Sequence, residues 1–377
     1  MMSLIAHSKN VTFEAKSFST VPSTSEEIEL GLRTLYHEKI DASELAAQLI
    51  KAQNFQSRIY NLLETQITSN KMIEASVEER TLTGNFVKET TIRFKSLVQR
   101  ENNHASNQVV ARIYEPTVSR PFCNHKYPTT IFLHHILNQI DMIQDLAKIM
   151  ASGVAHQPAI VVVLQMPHYG ERRNGTEEFL NSDLSSFREN MVQLVLDVHL
   201  LKNFLDNRPN INTQNLSLSG ISLGAVMGIT VGAFDQSFSS YGNLVGGVDM
   251  ANILMNRATH RANSEVAIAL KDLKLDENLI RNELAAVDSM TWLHRYKNKK
   301  LFFLNASRDD IINYDNSVKP MLDTLQLNNN VLAKLNDDTH SPTGSILKKV
   351  TQVFFPLLDF VIDKNPSYDQ SCPARAD

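Results

Sequence analysis

Residues 159–164 read Ala-Ile-Val-Val-Val-Leu, an unbroken apolar run with β-branched side chains at four positions. The inside–outside alternation of a half-exposed strand is missing, so a strand here has no face left for water. Such a strand belongs in the middle of a sheet covered on both sides. Parallel strands of that kind need crossover connections, usually helices. The rest of the chain has this rhythm. Strands are expected over 90–98, 108–114, 129–133, 216–218, 243–248, 300–305 and 331–335. Helical spacing falls between them at 143–150, along Met191, Leu194, Val195, Val198, Leu201 and Leu205, after Ser222, and over 345–361. The fold class is therefore α/β, a mostly parallel sheet with helices on both faces.

The first 84 residues have a different texture. Thr24-x-x-Glu27 has the form of a capping box, and Ile28, Leu32, Leu35 and Tyr36 follow at helical spacing. Asp41-x-x-Glu44 opens a second such run, and Ile59, Leu62, Leu63 and Ile67 make a third. Residues 1–84 are expected to form a helical extension, 85–365 the α/β domain, and 366–377 a tail. Between about 250 and 297 the strand–helix rhythm lapses into a helical insertion. It is placed over the C-terminal edge of the sheet, where open α/β folds bind ligands.

Hydrophobic residues make up 42% of the 377-residue chain and charged residues 21%, enough apolar sequence for a large core. The formal net charge of −4 lacks the basic surplus of a nucleic-acid partner. Two cysteines, Cys123 and Cys372, make neither a disulfide framework nor a zinc set. No apolar run is long enough to span a bilayer, and the N-terminal residues lack a signal-peptide pattern. The expectation is a soluble, cytoplasmic protein with no transmembrane segment, metal or cofactor.

The sharpest local signal is Gly220-Ile221-Ser222-Leu223-Gly224. A strand runs into it, and a helix rich in small residues runs out. A serine on so tight a turn cannot have bulky neighbours two positions away on either side, hence the two glycines. Ser222 is then held above the sheet at the positive end of a helix, with the Leu223 N–H placed for an oxyanion. A serine nucleophile needs a base, and the base needs an orienting carboxylate. The strand at 300–305 ends near Asp309 and Asp310. Asp309 is preferred for its two-residue step to the apolar Ile312. The strand at 331–335 leads to His340, in the loop before the last helix. His260 and His294 lie in the insertion instead.

Taken together, the Gly-x-Ser-x-Gly turn, the Asp309 loop and His340 resemble the α/β-hydrolase superfamily over roughly residues 90–363. Pro167-His168-Tyr169-Gly170-Glu171-Arg172 is similar to the P-x-Y-G-x-R segment of one predicted serine-esterase-like group. The resemblance implies a serine hydrolase with Ser222, Asp309 and His340 as its triad. One feature departs from the family. The usual His-Gly after the third strand is Leu133-His134-His135-Ile136 here, with His135 in place of glycine. The oxyanion donors implied are the N–H groups of Leu223 and of His135 or Ile136. His134, Tyr169 and Arg172 are candidate substrate contacts, but for the segment around Tyr169 a structural turn with Arg172 or Arg173 paired to an acidic neighbour is the preferred reading. Adjacent residues such as His134 and His135 point apart on an extended segment, which argues against metal binding there. The substrate expected is a small carboxylic ester or related acyl compound. A peptidase, a thioesterase, or a non-catalytic binding protein of the same fold are the alternatives.

Overall fold

In the computed structural model, the run at 159–164 becomes β6 (Ile160–Gln165), buried along its whole length. Its side chains alternate between two separate apolar cores. Ile160, Val162 and Leu164 join one, while Val161 and Val163 join the other, with Ile143, Leu146 and Met150 of α3 (Ile140–Ala151). A strand between two cores can carry no polar side chain without burying it. The structure describes residues 7–16, 24–36, 39–66, 72–81, 87–101, 104–117, 126–135, 140–153, 158–180, 183–260, 269–270, 272–274, 276–325, 331–336, 357 and 360.

Among these residues one sheet of ten strands runs in the order β1-β2-β3-β4-β6-β5-β7-β8-β9-β10. Its remaining strands are β1 (His7–Glu14), β2 (Met72–Thr81), β3 (Val87–Lys95), β4 (Gln108–Pro116), β5 (Tyr127–Leu133), β7 (Ile211–Ile221), β8 (Ser240–Leu244), β9 (Lys300–Ala306) and β10 (Val331–Asn336). From β6 to β10 all neighbours pair parallel. From β1 to β6 they pair antiparallel. The sheet is thus mixed, with five parallel pairings and four antiparallel ones on its N-terminal side.

Two of the antiparallel strands correct the expectation of a helical extension. β1 and β2 lie within residues 1–84 and belong to the main sheet. Phe13 of β1 packs edge-on against Phe94 and Phe204, with centroids 5.7 and 5.4 Å apart. The helices α1 (Ser25–Leu35) and α2 (Ala42–Gln66) lie between them in sequence. Thr24 caps α1 by accepting the Glu27 N–H at 3.1 Å, and Asp41 accepts the N–H groups of Ser43 and Glu44 at 2.8 and 3.0 Å. The second and third helical runs are one continuous helix, since no breaker residue separates them.

α4 (Leu184–Asp206) and α5 (Leu223–Phe234) pack on the same core as Ile160. The segment at 250–297 is helical where described, with α6 (Met250–His260), α7 (Glu277–Leu284) and a 3-10 turn at Ser289–Tyr296. Ile253, Leu254, Leu270, Ile280 and Met290 are buried, whereas Leu273 and Leu279 are exposed. The 3-10 turn packs against α5. Its Trp292 meets Phe234, and the Tyr296 hydroxyl donates to the Ile229 carbonyl, so it backs the second half of α5. α8 (Lys319–Leu325) leads toward β10. Among the described residues no helix is long and apolar enough to cross a membrane.

Candidate active site

β7 delivers the chain to Ser222, and α5 begins at the next residue. Ser222 has φ 54° and ψ −120°. A residue with a Cβ is disfavoured there by about 1–3 kcal/mol, so the surroundings must hold it. Its N–H donates to the Leu244 carbonyl at the end of β8, at 2.9 Å, and its own carbonyl accepts from Ala225 and Val226 at 2.9 and 3.0 Å. The two glycines are required by contact. A Cβ on Gly220 would stand 2.3 Å from the Gly224 carbonyl oxygen, and one on Gly224 would stand 2.2 Å from the Leu133 carbonyl oxygen.

That last contact also locates the loop after β5, which presses against the first turn of α5. The N–H of Leu223, the first residue of α5, belongs to the amides that have no acceptor within a helix. His135 is buried and follows His134, whose carbonyl oxygen would lie 2.5 Å from a Cβ on Gly224. Ile136, the other oxyanion candidate, lies outside the described residues.

The carboxylate loop is tied to the same sheet edge. β8 separates β7 from β9, and the Val245 N–H donates to the Leu304 carbonyl at 2.7 Å. Beyond β9, Asp309 is 7% exposed, and its Oδ1 accepts the N–H groups of Ile311 and Ile312 at 2.8 and 2.7 Å. Ile312 is buried and anchors the loop, as its spacing suggested, while Asp310 is exposed. His340 lies outside the described residues, four positions past β10. β10 runs parallel to β9, with Asn336 opposite Ala306, so it ends at the edge that carries Ser222 and Asp309.

The three candidate substrate contacts are turned inward. Arg172 is fully buried, with its guanidinium donating to the Asp197 carboxylate at 2.6 Å and to the carbonyls of Gln165 and Ser106 at 2.8 and 2.9 Å. It is the structural ion pair, joining the turn after β6 to α4. His134 is also fully buried. Its Nδ1 donates to the His135 carbonyl at 2.7 Å, and its Nε2 accepts the Met166 N–H at 3.2 Å. Burial pushes its pKa down to about 4, so the ring is neutral and both nitrogens are committed. Tyr169 packs edge-on against that ring at 4.8 Å and is nearly buried. His134 and Tyr169 therefore pin the loop after β5 to the segment after β6. Sequence spacing did not reveal this role, because nothing in it says which way a long side chain points.

The parallel half of the sheet and the strand–serine–helix turn between β7 and α5 are those of the α/β-hydrolase fold. Over 82% of its length the chain is similar to the acetyl xylan esterase from Paenibacillus sp. R4, with a TM-score of 0.58, 11% identity and 93% of that chain covered. It is similar over 82% of its length to acetyl xylan esterase 1 from Thermoanaerobacterium sp. JW/SL YS485, with a TM-score of 0.54, 15% identity and 92% of that chain covered. No protein-family model matches the chain, and no curated protein does.

Proposed function

We propose that this chain is a serine hydrolase that cleaves small carboxylic esters through an acyl-enzyme on Ser222. The observation that carries the reading is the backbone of Ser222, strained at φ 54° and enclosed by two glycines that admit no Cβ. Strain of this kind persists where it serves function. The His340 imidazole takes the Ser222 Oγ proton as the oxygen attacks the ester carbonyl. Asp309 orients that imidazole and offsets its positive charge. The Leu223 N–H and one from the His135–Ile136 loop hold the oxyanion. Collapse breaks the ester C–O bond, and the proton passes from His340 to the departing alcohol. Water then attacks the acyl-enzyme with His340 as base, releasing the acid and restoring Ser222. The two fold neighbours named as acetyl xylan esterases are consistent with an ester substrate of short acyl chain.

A p-nitrophenyl ester series tests the reading. Hydrolysis is expected to be fastest for short or medium acyl chains, and Ser222→Ala should lower kcat/KM roughly 10⁴-fold or more. Absence of turnover across the series, or turnover that survives Ser222→Ala, would count against it.

A further inference from the structure

His104, His168 and Glu177 form a second cluster that shares no residue with the elbow. Their donor atoms lie within 4.8 Å of one another, at the wall of a cavity of about 400 Å³. Asn190 fixes the state of His168. Its amide nitrogen donates to the Phe179 carbonyl at 2.9 Å, which turns its Oδ1 toward His168 Nε2, also at 2.9 Å. An amide oxygen only accepts, so the ring proton is on Nε2 and Nδ1 presents a bare lone pair. Nδ1 is buried, has no hydrogen-bond partner among the described residues, and lies 3.4 Å from Glu177 Oε2.

The Nδ1 lone pair thus faces a carboxylate oxygen across a gap of 3.4 Å that a cation can bridge. Tetrahedral coordination with bonds of about 2.0–2.2 Å separates ligand atoms by about 3.4 Å. That matches the gap. The His168 backbone is left-handed, at φ 65°.

We propose that His168 Nδ1 and Glu177 are the protein ligands of a divalent transition-metal ion of the Zn²⁺ type, which faces the cavity and completes its coordination with water. Asn190 orients the ligating ring through Nε2–H, the usual outer partner of a metal-bound histidine. His104 acts from behind the carboxylate. Its Nδ1 accepts the Ser106 N–H at 3.0 Å, so its proton is on Nε2, which donates to Glu177. Arg100 also lines the cavity, but its guanidinium turns to the side-chain oxygens of Asn190 and Gln193. One imidazole and one carboxylate favour Zn²⁺, Co²⁺ or Ni²⁺ over Ca²⁺ or Mg²⁺.

Calorimetric titration of the chelator-treated full chain with Zn²⁺, and with Co²⁺ followed by its visible spectrum, tests the proposal. Saturable binding of one ion per chain is expected. Glu177→Gln, at a half-exposed side chain, and His168→Asn, which tolerates a left-handed backbone, should each abolish it while the circular dichroism stays that of the wild type. His104→Gln should weaken it about 10–100-fold. Ser222→Ala should bind the ion as the wild type does, which separates this result from the hydrolase reading. No saturable binding by the wild type, or wild-type affinity in either ligand variant, would overturn the proposal.

Discussion

At Ser222 a side chain occupies backbone space that suits glycine, and backbone hydrogen bonds to Leu244 and to the first turn of α5 hold it there. This much was legible in five letters, because the steric demand of the turn shows as glycine on both sides. The closure of the Asp309 loop was legible for a related reason. An apolar residue three positions on is buried, and its N–H closes onto the carboxylate. Replacing Asp309 by Asn should lower ester turnover roughly 10³–10⁴-fold, the scale of losing the group that fixes the base's tautomer. Asp310→Asn should leave it near the wild-type rate, since Asp310 is exposed. Steady-state kinetics of the two variants decides, and the larger loss at Asp310 would reverse the assignment. For Arg172 an ion pair was legible but its partner was not, because spacing cannot show that Asp197 waits inside on α4.

Among the elements, strands buried on both faces were read most accurately. β6 begins one residue after the expected run and β9 matches its start, because a wholly apolar strand has no other place to be. β8 ends at Leu244, earlier than expected, since Val245 has φ 45° and the Asn243 side chain accepts the Gly246 N–H, turning the chain out of the sheet. β1 and β2 were missed because only short stretches of alternation stand among charged residues. The link between the loops after β5 and β6 runs through a neutral histidine, and that has a consequence for stability. Folded His134 resists protonation until about pH 4, whereas an unfolded histidine protonates near 6.5. The unfolded state therefore binds the extra proton first. Stability present above pH 6.5 is lost as pH falls toward about 4, by up to about 3 kcal/mol from this residue. Urea unfolding at pH 7.5 and pH 5 should show a smaller pH difference in His134→Gln than in the wild type. An equal difference in both would remove His134 as the cause.

For the molecule as a whole, one sheet edge gathers the chemistry. The elbow follows β7, the carboxylate loop follows β9, and the chain toward His340 leaves from β10, all parallel neighbours around β8. Strand order is what puts the ends of β7, β9 and β10 on one edge, and sequence alone could order these strands along the chain but not across the sheet. The His104–His168–Glu177 cluster shows the same limit from the other side. Its members are scattered in sequence with no ligand spacing, so no metal was expected, and only the fold assembles them. The central claim is that Ser222 is an activated nucleophile, and reaction with a fluorophosphonate reports this without knowledge of the substrate. Intact-mass and peptide mapping should find one adduct per chain, on the peptide bearing Ser222, absent in Ser222→Ala and strongly slowed in His340→Ala. An unlabelled wild type, or an adduct that persists in Ser222→Ala, would contradict the account.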